Sequence, residues 1–292
     1  MHSTENLNQK YVELLGKEQS VKLLAIFKEI ENGFYDKTVI YSFKLNNLIH
    51  PIYIRGIRAD MQSFINTFID PYLDKKTYLN NCNYVIDAGG NIGFTAVLFA
   101  NWWPESKIIS IEPDYENYNL ILKNTLNYSN ITVINAGLWH KNADLRIEAG
   151  QEDGFVVREI NNTQTDILPE NLTKGVSLES LMKQYNFPQI DFLKMNIEGS
   201  EKEIFNENYE YWISKTKAML IELHDGKNAG CSKSVFTTTN LYSFSVAETA
   251  LYGILFVDET IYRKWYADWY KEEIYKPKID KIRFPDFYLD KE

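Results

Sequence analysis

The stretch Tyr84-Val85-Ile86-Asp87-Ala88-Gly89-Gly90-Asn91-Ile92-Gly93 decides the fold. A short apolar run meets an acid and then glycines. An apolar stretch follows from Gly93 to about Trp103 and is ended by Pro104. That pattern predicts strand, tight turn and helix. The unit then repeats. KIISIEP (107–113) predicts a second buried strand, and the helix after it carries Tyr118, Ile121, Leu122 and Leu126 on one side. ITVINAGL (131–138) predicts a third strand. Strands alternating with helices of this length build an α/β fold, a parallel sheet with helices on both faces.

Residues 143–177 break the rhythm. LRIEAG (145–150) and GFVVREI (154–160) predict antiparallel strands or a flap, and 161–175 reads as loop. The alternation resumes with a helix at 177–185, a strand and turn at 190–199, a helix at 200–212 and a strand at 217–226. SFSVAETALYGILFV (243–257) supplies the last strands. Upstream, residues 5–33 predict one or two helices, interrupted at Gly16, and Val39 to Ile57 predicts extended segments. Asp60 is placed to cap a helix through Phe64 and Phe68 that stops at Pro71. Downstream, Ile261, Trp265 and Trp269 are spaced four apart, as are Tyr262, Tyr266 and Tyr270, which gives one broad aromatic helix face. The organisation is an N-terminal extension of helices and extended segments (1–82), an α/β domain (83–257) and an aromatic-rich C-terminal segment (258–292).

Charge and composition narrow the function. The net charge is −9, and no dense Lys/Arg cluster is present. A nucleic-acid partner calls for a basic face that displaces counterions, so no nucleic acid is expected. The same balance argues against stable association with an anionic membrane. Two cysteines, Cys82 and Cys231, are too few for a disulfide framework or a Cys-based zinc site. MHSTENLNQK is polar, and the longest apolar stretch, Ala96 to Trp103, is too short to cross a bilayer. A cytoplasmic protein is expected, with its oligomeric state open.

The turn after the first strand is where α/β sheets bind ligands. Gly89 and Gly93 let the backbone approach a ligand closely, with Asn91 between them. The spacing is not GxGxxG, which weakens a dinucleotide reading. Asp87 at the strand end suits a cationic amino group, such as that of S-adenosylmethionine. Glu112, 19 residues after Gly93, ends the second strand where an acid can accept from two ribose hydroxyls, and Pro113 stiffens the exit. Ala136 and Gly137, at the end of the third strand, leave room for an adenine ring.

Four blocks in order resemble the FkbM family of methyltransferases: VIDAGGNIGFTAVLFA, IISIEPDYENYNLILKN, IDFLKMNIEGSEKEIF and IELHDGKNAGCS. PIYIRGIRADMQSF is similar to the segment that precedes the cofactor loop in many members. The resemblance runs from about Ile52 to about Glu248, and KMNIEGSE together with IELHDG is its most specific part. It implies a Rossmann-like methyltransferase sheet, S-adenosylmethionine as donor and usually O-methylation, with sugars and natural-product hydroxyls among the acceptors. Many members carry Asp where this chain has Asn196, which is counted here with the cofactor site.

Methyl transfer requires an acceptor oxygen aligned behind the methyl group and a base for its proton. His224 is the first candidate base, since imidazole titrates near neutrality. Glu198 is the second, and Asp225 or Glu222 would orient the imidazole. Glu198, His224 and Asp225 with Asn196 also have the chemistry of ligands for a divalent ion, but no tight ligand spacing supports one and no metal is assigned. Two other functions share the fold. An NAD-dependent oxidoreductase would fit Glu112, and a change in NADH absorbance would reveal it. A non-catalytic cofactor-binding module would bind the donor without turnover. The expected function is methyl transfer to a hydroxyl of a sugar, glycan or other small molecule.

Overall fold

The computed structural model describes residues 4–34, 36–70, 81–149, 154–160, 168–250 and 253–269. α1 (Thr4–Glu31) is two helical stretches joined at Gly16, whose φ of 74° no helix contains. β1 (Asp36–Phe43) and β2 (Ile52–Gly56) form an antiparallel hairpin. α2 (Arg58–Phe64) continues into a π-helical turn, Ile65–Ile69. Asp60 does not cap this helix. It lies inside the first turn, fully buried, where its carboxylate accepts from Arg55 N, Nε and Nη2 at 2.7–3.0 Å. Pro71, the expected stop, lies outside the described residues.

The central units are β3 (Tyr84–Ala88), α3 (Phe94–Trp102), β4 (Lys107–Glu112), α4 (Tyr115–Thr125) and β5 (Ile131–Asn135). The expected third strand is split after Asn135. β6 (Gly137–Leu138) leaves the main sheet and joins a smaller one with β7 (Ala143–Ala149), β8 (Phe155–Glu159) and β9 (Leu172–Val176). The expected flap is thus the β7–β8 pair, within a four-stranded sheet ordered β6-β9-β7-β8. α5 (Leu178–Gln184) starts at a reciprocal cap between Ser177 and Ser180. β10 (Phe192–Met195), α6 (Glu201–Asn206), α7 (Glu210–Ile213) and β11 (Ala218–Ile221) follow. The single helix expected over 200–212 is broken between α6 and α7, where Asn208 takes a φ of 58°. α8 (Cys231–Leu241), β12 (Phe244–Ala250), β13 (Gly253–Asp258) and α9 (Glu259–Trp269) complete the described chain.

The main sheet is ordered β12-β13-β11-β10-β3-β4-β5. The strands from β11 to β5 are parallel, and β13 is antiparallel to both neighbours. Alternate side chains point to opposite faces. Val85, Ile108, Phe192 and Leu220 face a core shared with α1, α2 and α3. Ile86, Ile109, Leu193 and Met219 face a second core shared with α5, α6, α7 and α8. Burial on both faces explains why these strands read as continuous apolar runs. Phe43, Phe64, Phe94 and Phe99 are fully buried in the first core, each contributing roughly 1.5–3 kcal/mol. α9 docks on that core through Ile261 and Tyr262, while Tyr266 is exposed. The side chain of Trp269, and Tyr270 with everything after it, lie outside the described residues.

From β3 the chain runs outward to β4 and β5, then returns on the other side to β10 and β11. The crevice of an α/β sheet opens at the carboxyl end of such a switch point. Among the described residues, no helix is long and apolar enough to cross a membrane.

Candidate functional site

A small open cleft, with a cavity volume of about 80 Å³, lies at that switch point. One wall is Gly89 and Asn91 from the loop after β3, with Ile111, Glu112 and Pro113 from the end of β4. Asn196, Ile197 and Glu198 form the floor beyond β10. Gly137 and Leu138 of β6, with Gly154, Phe155 and Val157 of the flap, close the other side.

Only glycine fits at position 89. Its φ is 76°, and a Cβ there would lie 1.7 Å from the backbone oxygen of Asn196. The Gly89 and Gly90 amides donate to Ile111 O at 3.0 and 2.9 Å, which ties the loop to β4. Gly93 is the left-handed N-cap of α3. Asp87 sits beneath this loop rather than on the cleft wall. Its carboxylate accepts from Ser110 Oγ at 3.1 Å and pairs with Lys194 Nζ at 3.2 Å. Lys194 also donates to Gly89 O at 2.6 Å, so the buried pair fixes the loop carbonyl from below. Sequence reasoning missed Lys194. Its signal was a cation inside FLKM, a strand buried on both faces, where a charge needs a partner.

Glu112 lies on the cleft wall, 4% exposed. Its two carboxylate oxygens accept from Asn91 N at 2.8 Å and Asp114 N at 3.0 Å. Burial pushes its carboxyl up to about 8, against the pull of those two amides. Each oxygen keeps a second acceptor site. Asn135 shapes the turn by donating to Glu112 O and Pro113 O at 2.9 and 3.0 Å. Gly137 lines the cleft; Ala136 is buried behind it and donates its amide to Glu112 O at 3.1 Å. Asn117 also reaches the cleft and was not expected. Arg55 Nη2 donates to its Oδ1 at 2.7 Å, which joins the N-terminal hairpin to the cleft rim.

The other end of the cleft is acidic. Asn196 Nδ2 donates to Glu222 Oε2 at 2.7 Å, while Asn196 Oδ1 is buried without a hydrogen-bond partner. Glu198 adopts a left-handed φ of 60° and pairs with Lys227 Nζ. Gly154 of the flap rests on it, and a Cβ there would lie 2.6 Å from its carboxyl carbon. His224 stands behind Glu198, outside the cleft lining. Its Nε2 lies 3.6 Å from Glu198 Oε2 and 3.8 Å from Glu222 Oε1. Its Nδ1 lies 2.7 Å from Glu201 Oε1. Burial pulls the imidazole down, but the Glu201 hydrogen bond and the charges of Glu201, Glu198 and Glu222 leave it net raised. Burial, opposed by His224 and Lys194, also raises Glu222.

Asp225 is not part of this group. Its carboxylate accepts from Gly230 N and Ser232 N, both at 3.0 Å, and ties down the start of α8. The Ser232 side chain, together with those two amides, holds it below the usual carboxylate range. Among the described residues, no three His, Cys, Asp or Glu side chains gather as a metal site.

Residues 87–251 match the family model described as the methyltransferase FkbM domain. The fold is similar to the crystal structure of a methyltransferase FkbM from Methylobacillus flagellatus KT, at 15% identity and a TM-score of 0.44 over 87% of this chain. The chain spans 58% of that protein's length. It is also similar to the Methanococcus jannaschii fibrillarin pre-rRNA processing protein, at 11% identity and a TM-score of 0.40, covering 77% of this chain and 96% of that one. Aeropyrum pernix fibrillarin in complex with natively bound S-adenosyl-L-methionine is 9% identical with a TM-score of 0.37, covering 74% of this chain and 92% of that one. No curated protein sequence matches the chain.

Proposed function

The chain belongs to the FkbM methyltransferase family, and from that premise we propose that it moves a methyl group from S-adenosylmethionine to a hydroxyl of a sugar, glycan or other small-molecule acceptor. The observation that carries this proposal is the cleft itself, with the Glu112 carboxyl at one end and the unbonded Asn196 Oδ1 at the other. Both ends fit the donor. Glu112 accepts from two ribose hydroxyls, and Asn196 Oδ1 accepts from the cationic amino group. The Gly89–Asn91 loop, braced by Asp87 and Lys194, gives the backbone edge along which the donor lies. When bound, S-adenosylmethionine supplies a methyl carbon already activated by its sulfonium charge.

The chain's own task is orientation and proton removal. The acids at the acceptor end are Glu198, on the cleft lining, and Glu222 behind Asn196. They suit an acceptor rich in hydroxyl donors. Glu198 faces the acceptor hydroxyl and takes its proton. His224 Nε2, 3.6 Å behind, receives that proton through one bridging water. Lys227 and the resting flap at Gly154 hold the Glu198 carboxylate in place.

The test is transfer of labelled methyl from S-adenosylmethionine to a panel of polyols and glycans. Glu198→Gln and His224→Ala are expected to lower turnover 10²-fold or more, roughly the worth of positioned general-base catalysis, with donor affinity unchanged. Full turnover in both variants would remove the acidic end from the chemistry.

A further inference from the structure

We infer that Glu201 is a positioning residue of the transfer site: its buried carboxylate holds the His224 Nδ1 proton, so that Nε2 presents a lone pair towards Glu198. The role presupposes methyl transfer at this cleft, as proposed above. Glu201 is the first residue of α6 and is 0% exposed. Its Oε1 lies 2.7 Å from His224 Nδ1, and its Oε2 has no hydrogen-bond partner. An ionised carboxylate with this bond can only accept, so Nδ1 must carry the hydrogen. Nε2 is then the basic nitrogen of the neutral ring. The carboxylates on that side, at 3.6 and 3.8 Å, are beyond hydrogen-bond reach and leave it open.

The three carboxylates around the ring act in the same direction, and Lys227, paired with Glu198, sets a positive charge against them on the Nε2 side. Glu201 faces it from α6, Glu198 from the loop after β10 and Glu222 from the end of β11. The Cys231 thiol, from α8, lies beside Glu201 and donates to Gly199 O at 3.5 Å. Lys194 acts on Glu222 from below. The neighbouring Asp225, the obvious partner by sequence, is engaged by α8.

The proton balance is complete within these groups. A lone pair on the acceptor oxygen forms the new C–O bond as the C–S pair returns to sulfur. The hydroxyl proton passes to Glu198 and, through one bridging water, on to Nε2. The resulting imidazolium has Glu201 at one nitrogen and Glu198 near the other, and it releases its proton to water after the products leave.

Nitrogen-15 NMR of the four histidines tests this without any acceptor. His224→Gln assigns the signal. In the wild-type protein the neutral ring is expected as the Nδ1–H tautomer, titrating above the usual histidine range. Glu201→Gln is expected to lower that midpoint by about one pH unit, a tenfold loss of proton affinity. A protonated Glu201 that donates to Nδ1 would instead give the Nε2–H tautomer. The Nε2–H tautomer in wild type, or an unmoved midpoint in the variant, would overturn the assignment. The wild-type tautomer alone decides the matter if Glu201→Gln fails to fold. Calorimetry with S-adenosylmethionine on the same wild-type sample separates the two claims: absent donor binding with the expected tautomer sinks the methyl-transfer proposal and leaves the pair standing.

Discussion

At the scale of single residues, Glu112 carries the most consequence. It faces the cleft with both oxygens already bonded to backbone amides. Its carboxyl is raised from 4.5 to about 8 by burial. The folded protein therefore keeps a proton that the unfolded chain releases above 4.5, and the stability this gives is lost as pH rises through about 8. Ionised Glu112 accepts better from ribose hydroxyls, so donor affinity is predicted to tighten between pH 7 and 9 with release of a proton. Calorimetry in buffers of different ionisation enthalpy would show that proton. Glu112→Gln turns an amide donor toward Asn91 N or Asp114 N and should weaken donor binding about 10–100-fold, the range of one charge-assisted hydrogen bond. The sequence placed Glu112 and Gly89 because strand ends and glycine turns are local features. Lys194, Glu201 and Asn117 escaped because their partners are far away in sequence, as with Lys194 and Asp87.

At the scale of elements, the strands were legible and several joints were not. The βαβ rhythm survives because each strand is apolar on both faces. α8 was not read as a helix at all. CSKSVFTTTNL carries three consecutive threonines, which favour strands, and packing overrides that preference. Thr238 Oγ1 donates to Phe205 O at 2.8 Å, and Thr239 Oγ1 back-bonds to Val235 O at 2.8 Å. Thr238→Val should cost about 1–3 kcal/mol by leaving Phe205 O unsatisfied, read as a lower denaturant midpoint with an unchanged slope. The split after Asn135 was equally hidden, since ITVINAGL carries apolar residues on both sides of Asn135 while Gly137 packs against Leu145 and Val157 of the smaller sheet. That sheet sets the flap on Glu198. Gly154→Ala would force the carboxylate away from its seat, and turnover should fall while donor affinity holds.

Across the whole molecule, the N-terminal extension covers one face of the sheet and reaches the cleft rim. Arg55 bridges Asp60 and Asn117 in a buried cluster, and Asn117 lines the cleft. Asp60→Ala strands a buried guanidinium. Such losses cost about 3–5 kcal/mol, so thermal unfolding should move down by many degrees. The α/β class and its helices on both faces were legible in the chain, because hydrophobic period and turn residues set them. The acidic end of the cleft was legible only as residue types, since its geometry depends on β10, β11, α6 and the flap meeting. The central claim is a donor site for S-adenosylmethionine at the carboxyl ends of β3 and β4. Calorimetric titration of the folded protein with S-adenosylmethionine and, separately, with NADH tests it most directly. One-to-one binding of S-adenosylmethionine, weakened in Glu112→Gln, with no heat from NADH, is the predicted result. Folded protein that binds NADH, or that binds neither, would contradict it.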